Sequence, residues 1–357
     1  MLLPVYAAFV AAMIFYFLIP IAGAFRLRSQ WRRFRDRVAE ISFAPLLRYG
    51  DLAKAAHDGL VAVGRFRLLG VIEAIEGSDR VWVRGKNVSA LVDLSHAPLF
   101  VTTPGAAEAG SIERLRWNSV SSLVEGTSIH VGGLLKMEEG RPVFVDAPDE
   151  GLIAVCHDGD ARKLVSRLIR GGRAPNEYWN YPTIISLALG VAAISGILLL
   201  FRTAAFPSLR ALIFLSGAIP ILPLAPPGLA FFLAYNHFWR LALVARTSRD
   251  LLRLPLRYPC IRQTLSEGES LPECSTWLGV TNTVPIKGRE NRVLTVFTPE
   301  IPGDPAAETF VVEGDPETLA RKVEREAVLY AAAAGLSFGL AVLVNFALAF
   351  IVWRSVL

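Results

Sequence analysis

Four long runs without a charged residue dominate the pattern along this chain: Leu2–Phe25, Thr183–Phe201, Ala211–Tyr235 and Leu329–Trp353. A helix needs roughly 20 apolar residues to cross a hydrocarbon core of about 30 Å, so each run is predicted to span a membrane. The third run contains Pro220, Pro223, Pro226 and Pro227. Each proline removes a backbone donor and crowds the preceding turn, so this span should be kinked or broken, with freed carbonyls in need of partners. Such a break lines a ligand path in some transporters, but a kinked packing helix is the preferred reading, because no ionisable residue lies within the run. In the last run Gly335 and Gly339, four apart, offer a close-approach face for another helix, and Asn345 is a candidate interhelical hydrogen-bonding group.

Between these runs the pattern changes. Residues 61–170 read as short strands rich in Val, Ile, Leu and aromatics and punctuated by Gly, Pro, Asn and Asp. The expected strands are Phe66–Ile75, Arg80–Arg84, Ala90–Leu94, Leu99–Thr102, Thr127–Lys136, Pro142–Val145 and Leu152–Cys156. Gly132-Gly133 suggests a bulge or a tight corner, and a short helix is expected over Ala161–Ile169. The whole reads as a small all-β domain, with an OB-like barrel the natural candidate. A second soluble region, 236–327, opens with Phe238, Trp239, Leu241, Leu243, Val244, Leu251 and Leu252 interleaved with Arg240, Arg246, Arg249 and Arg253. That stretch is either an interfacial helix on an anionic surface or a continuation of the third span packed on its own domain. Strands follow at Trp277–Val280, Arg292–Thr298 and Phe310–Val312. Gly159-Asp160 with Leu164 and Leu168 recurs as Gly314-Asp315 with Leu319 and Val323, each after a strand and before a span, which hints at a duplicated unit. The fold class is therefore an α+β multipass membrane protein. It has about four transmembrane helices, a small OB-like domain and a second small α+β soluble region.

Charge adds orientation. Apolar residues make up 53% of the 357 and charged ones only 19%, well under the quarter usual for a soluble protein. The net charge of +5 gathers beside the apolar runs, at Arg26, Arg28, Arg32, Arg33, Arg35 and Arg37 and at Arg240, Arg246, Arg249 and Arg253. This is the pattern of membrane flanks facing anionic head groups rather than of a nucleic-acid surface. The arginines follow the first apolar run and none precedes it, which favours an uncleaved anchor over a signal peptide. The positive-inside rule then places both soluble regions in the cytoplasm and both termini outside, in what reads as a bacterial inner membrane.

The segment Glu125–Leu135, with Gly140-Arg141-Pro142-Val143, Pro148 and Gly151-Leu152-Ile153, precedes a short helix and the Thr183–Phe201 span. This order resembles the GIDE-type (BAM) domain of membrane-anchored mitochondrial ubiquitin ligases and their prokaryotic relatives. The likeness runs from about Phe66 to Phe201 and implies an OB-like domain between two spans. Those ligases add a RING finger with eight zinc ligands. This chain has three Cys, five His and no Cys-x-x-Cys pair, so ubiquitin ligation is not implied.

Other chemistry is sparse. No phosphate-binding loop, dinucleotide fingerprint, zincin or nucleophile-elbow motif occurs. Cys156-His157-Asp158 are strand neighbours that point to opposite faces, so they cannot act as one triad. Glu267, Glu269 and Glu273 read as a solvated loop, and Cys260 and Cys274 would pair only in an oxidising space. No cofactor, metal or nucleic acid is expected. The functional expectation is a non-enzymatic scaffold or adaptor that uses its β domains to bind a protein partner beside anionic lipids. The alternative is a lipid-handling or transport component using the broken span and the basic helix.

Overall fold

The computed structural model describes residues 3–102, 112–117, 125–147, 151–158, 161, 163–173, 177–178, 180–201, 206–257, 260–265, 276–278, 294–299 and 308–356. The chain is mixed helix and strand, and among the described residues three helices are long and apolar enough to cross a membrane. It divides into two compact units: Met1–Trp31, Asn176–Arg246 and Glu324–Leu357 form one, and Arg32–Pro175 with Thr247–Val323 form the other.

The first unit is helical. It holds the apolar part of α1 (Leu3–Ser42), α4 (Tyr181–Leu200), α5 (Pro207–Ala218), the first part of α6 (Gly228–Arg257) and the second part of α7 (Pro316–Val356). Its buried core is Ala8, Ala12 and Tyr16 of α1, Ile194 of α4 and Ile213 of α5. A side chain at Gly190 would run into Phe15 and Tyr16, so glycine there sets the closeness of α1 and α4. Backbone groups in hydrocarbon have no water to turn to, and side chains take that role here. In the π-helical turn Met13–Leu18, Ser186 Oγ donates to the Phe15 carbonyl. The Tyr16 hydroxyl donates to the Gly217 carbonyl at 3.2 Å. At the start of α4, Asn180 Oδ1 accepts from the Thr183 amide at 3.0 Å, a regular N-cap.

The proline-bearing run Ala211–Tyr235 is two helices and not one. Between α5 and α6 lies a 3-10 turn, Leu222–Leu224, followed by a cis Pro226–Pro227 peptide. At 12 residues, α5 is about 18 Å long and too short to cross a bilayer alone.

The second unit is built on two sheets. Strands β1 (Ala62–Glu76), β2 (Arg80–Arg84), β3 (Ser89–Asp93), β7 (Arg141–Val145) and β6 (Ser128–Glu138) pair in that order, and β6 pairs back onto β1, closing a barrel. The 15 residues of β1 let it serve both neighbours. All contacts around the ring are antiparallel except β3–β7. The interior is filled by Leu68, Ile72, Val81, Val83, Ile129 and Phe144 with their neighbours. From the first half of β6 the sheet continues through β8 (Ile153–His157), β4 (Leu99–Thr102) and β5 (Ile112–Leu115), with β8–β4 parallel. The β6–β7 turn carries Glu139 at φ 51° and Gly140 at φ 78°, the two positive angles that a tight hairpin turn requires.

Of the bulge or tight corner expected at Gly132-Gly133, the β1–β6 register shows no bulge through either residue, but β6 changes partner there, from β8 at Gly132 to β7 at Leu134. The shifts lie instead in β1, between Ala62 and Gly64 and between Ile72 and Ala74. Gly132 has another purpose: a side chain there would strike Ile41 of α1. The second half of α1 covers this outer face of the sheet, with Phe34 centred 4.2 Å from Phe100.

The second sheet has the order β10 (Thr276–Leu278), β12 (Phe310–Glu313), β11 (Leu294–Pro299), β9 (Cys260–Leu265), with β10–β12 parallel. Ahead of β9, the basic stretch is a continuation of α6, whose Leu251, Leu252 and Leu254 are buried, and not a separate interfacial helix. Helix α3 (Leu164–Gly171) begins at Lys163, whose side chain supplies no cap. The buried Glu308, 142 residues away, supplies one by accepting the Ser166 amide at 3.0 Å. The remaining helix, α2 (Tyr49–His57), lies in the juxtamembrane stretch 26–60.

Candidate functional site

Four constellations gather the polar chemistry of the described residues. The first closes the helix break. Asn345 of α7, only 4% exposed, donates through Nδ2 to the Leu222 and Ala225 carbonyls, both at 2.6 Å. Its Oδ1 accepts the Gly228 amide at 3.2 Å. One carboxamide thus bonds three backbone groups at the break: the Leu222 and Ala225 carbonyls, which also accept the Ala225 and Leu229 amides at 3.1 and 2.9 Å, and the Gly228 amide at the start of α6. Any side chain at Gly228 would collide with Asn345 and the Ala341 carbonyl. Pro220, Pro223, Pro226 and Pro227 all lie in or beside the element that Asn345 braces.

The second is an arginine clasp on Asp250. Arg173 reaches Oδ2 through Nε at 2.9 Å and an Nη at 2.6 Å, Arg249 reaches Oδ1 at 2.8 Å, and Arg35 Nε lies 3.4 Å from Oδ2. Arg35 also donates to the Gly172 carbonyl at 2.8 Å. Burial alone would raise the Asp250 carboxyl, but the Arg173 and Arg249 charges and their hydrogen bonds outweigh it and hold the group below the usual carboxylate range. Three segments distant in sequence are tied to one carboxylate.

The third is a buried basic trio. Arg67, His130 and His157 are all under 10% exposed on the outer face of the β1–β6–β8 sheet. Arg67 donates through Nε to the Ala44 carbonyl at 2.8 Å, and burial lowers its guanidinium to about 10. Burial, then the nearby Arg67 and His157, push His130 down to about 3, so it is neutral at physiological pH. Cys156, between them in sequence, points into the barrel, where burial raises its thiol to about 12. It is therefore a protonated core residue and no nucleophile, and the strand geometry separates it from His157 as alternation requires.

The fourth is a groove of about 510 Å³ between the β1–β2 turn, the β3–β4 loop and the end of β5, lined by Asp79, His96, Arg114, Arg116 and Trp117 among others. The Trp117 indole donates to the Ser78 carbonyl at 2.6 Å and fixes one wall.

The arginines expected at the membrane surface divide into groups. Arg26, Arg32, Arg33 and Arg240 are exposed. Arg28 pairs with buried Glu177 at 3.0 Å, Arg37 lies against Gly151, and Arg246 stacks 5.4 Å over Trp239. Arg35 and Arg249 belong to the clasp, so these two are packed positions rather than lipid-facing ones, and Arg253 is half-buried. The reason is helical phase: Arg35 falls on the buried stripe Trp31, Phe34, Val38, Ala39 of α1. A side chain at Gly335 or Gly339 would meet nothing within 4 Å among the described residues, and the stripe of α7 buried within the chain runs through Ala320, Ala327, Ala334, Ala341 and Asn345. Cys274, Glu267, Glu269, Glu273 and the Gly159-Asp160 pair lie outside the described residues.

Sequence reasoning missed the clasp, the trio and Glu308. Asp250 had a signal, being the single acid between Glu177 and Glu267 and flanked by five arginines. Glu308 had none, because its partner is a helix end far away in the chain. Comparison with family models, with curated proteins and with solved structures returned no match.

Proposed function

We propose that this chain is a four-crossing membrane scaffold that presents an OB-like barrel to a protein partner on one side of the bilayer. The OB-like assignment is supported by the closed strand order β1-β2-β3-β7-β6 with one parallel contact, β3–β7. The crossing number is supported by the second unit. Segments 32–175 and 247–323 share one compact body, tied by the Asp250 clasp and the Glu308 cap. They therefore share one side, and the chain between them crosses an even number of times. Helix α4 is one crossing, and the broken α5–α6 pair is the return.

The observation that carries the scaffold reading over a lipid or solute path is the Asn345 brace. A path-lining break leaves its carbonyls for a passing ligand, whereas here Leu222 and Ala225 are closed by the protein's own side chain. The partner is assigned to the groove by Trp117 and Arg116, on the side that the arginine distribution marks as cytoplasmic.

Extraction from native membranes in nanodiscs, followed by mass spectrometry of what copurifies, tests this. A stoichiometric protein partner, lost on Arg116→Glu but retained on Glu73→Lys elsewhere on the barrel, is the expected result. A protein that emerges alone with one enriched lipid class would overturn it. Orientation is read separately, by impermeant thiol labelling of Ser95→Cys and Arg321→Cys in intact cells. Both are expected to be protected, and labelling of only one would refute the four-crossing count.

A further inference from the structure

The two sheets of the second unit share a plan. In the first, the strands β1, β4, β6 and β8 lie in the order β1-β6-β8-β4, with antiparallel, antiparallel and parallel contacts in turn. In the second, β9, β10, β11 and β12 lie in the order β9-β11-β12-β10, again antiparallel, antiparallel, parallel. Neither is the simple meander that consecutive strands favour. In both, the second and fourth strands are the parallel pair and the third sits between the first and the fourth.

The sequence echo fixes the phase. Setting Gly159-Asp160 on Gly314-Asp315 places Val155-Cys156-His157-Asp158 on Phe310-Val311-Val312-Glu313. The ladders then agree rung by rung. Cys156 pairs with Ile129 as Val311 pairs with Val296; Val155 pairs with His130 as Phe310 pairs with Phe297; His157 pairs with Ser128 as Val312 pairs with Thr295. Ser128-Ile129-His130 thus corresponds to Thr295-Val296-Phe297. The central pairs are buried in both sheets. Each set of four strands follows a helix that begins in an apolar run, α1 or α6, and leads through Leu164 or Leu319 into the next apolar run, α4 or α7.

We infer that the chain is a tandem duplication of one membrane-anchored repeat, helix–four strands–helix, and that the first repeat's surface carrying Ser166 and Arg173 is an interface for a copy of that repeat. The second copy fills it from within the chain, through Glu308 and Asp250. The first copy is elaborated. Strands β2 and β3 enter the β1–β4 connection, β5 the β4–β6 connection and β7 the β6–β8 connection, closing the barrel and building the groove. This inference does not depend on the scaffold reading.

Disulfide scanning of the full chain in nanodiscs tests the rung-by-rung equivalence. Directly opposed antiparallel pairs alternate in Cβ spacing, so cross-linking alternates along a ladder. In a Cys156→Ser background the pairs 128/157 and 130/155, and with native Cys156 the pair 129/156, give one pattern of oxidation yields. The pairs 295/312, 297/310 and 296/311 are expected to give the same pattern, position for position. An inverted pattern, or no cross-link in the second set, would overturn the duplication. Hydrogen exchange on the unmodified protein guards against variants that misfold. Slow exchange over both Ser128–Glu138 with Ile153–His157 and Leu294–Pro299 with Phe310–Glu313 is expected, and rapid exchange in the second pair alone refutes the shared sheet.

Discussion

Replacing Asn345 by leucine removes the side chain that, among the described residues, hydrogen-bonds into the break between α5 and α6. Three hydrogen bonds are lost, two of 2.6 Å to the Leu222 and Ala225 carbonyls and one of 3.2 Å from the Gly228 amide. Interhelical hydrogen bonds in membranes are worth about 0.6 kcal/mol on average and up to about 1.7, so the bonds alone amount to about 2 kcal/mol. One freed group adds to that. The Leu222 and Ala225 carbonyls keep the Ala225 and Leu229 amides as partners, so the Gly228 amide is the group left without its acceptor. A buried group left unsatisfied costs about 1–3 kcal/mol, which brings the expected destabilisation to about 3–5 kcal/mol. The assay is reversible unfolding in mixed micelles against wild type, with Ser337→Ala as the control. The Ser337 hydroxyl only bonds back to Ala333 of its own helix, at 2.9 Å, so the control should change stability by less than about 0.5 kcal/mol. An Asn345→Leu variant as stable as that control would show that the break is held by something else.

Other expectations follow from the second unit. Asp250→Ala should cost about 2–3 kcal/mol, below the roughly 3–5 kcal/mol of a fully buried pair because the carboxylate keeps some exposure, and thermal unfolding in nanodiscs measures it. The Asp250 carboxyl is lowered, so its contribution is present above the unfolded value and is lost as pH falls below about 4. His130 is depressed to about 3 from an unfolded value near 6.5, so the unfolded chain binds the proton first and stability falls as pH drops from 6.5 towards 3. At pH 5 the loss is about 2 kcal/mol at 1.36 kcal/mol per unit. His130→Phe, the residue found at the matching rung Phe297, should flatten that slope in a pH series of melting curves; an unchanged slope would exclude His130 as its source. Gly132→Val should cost about 1–3 kcal/mol by driving a side chain into Ile41, and Ile41→Ala should recover part of it, a coupling that a double-mutant cycle reads directly.

The sequence by itself determined what depends on local pattern. Uncharged runs of 19 to 25 residues marked the three helices that are long and apolar enough to cross a membrane, because runs of that length and character suit a hydrocarbon core. Seven of the eight strands of the first sheet were legible from β-branched and aromatic runs between turn residues; β5, the four residues Ile112–Leu115 with two of them charged, carried too little pattern. Four prolines announced a break and required partners for its carbonyls, and Asn345 stood out as a polar residue in an apolar run. Tertiary structure alone decided which groups met. That Asn345 serves Leu222, Ala225 and Gly228 depends on the phase and depth of α7 against the break, and nothing in either segment records the other. The same holds for Asp250 with Arg35 and Arg173, and for Glu308 at the head of α3, since charges separated by 77 to 215 residues carry no mutual signal in one sequence. The repeat was half visible: a Gly-Asp echo survived in the sequence, but only strand order and register, which persist after side chains diverge, made the two copies comparable.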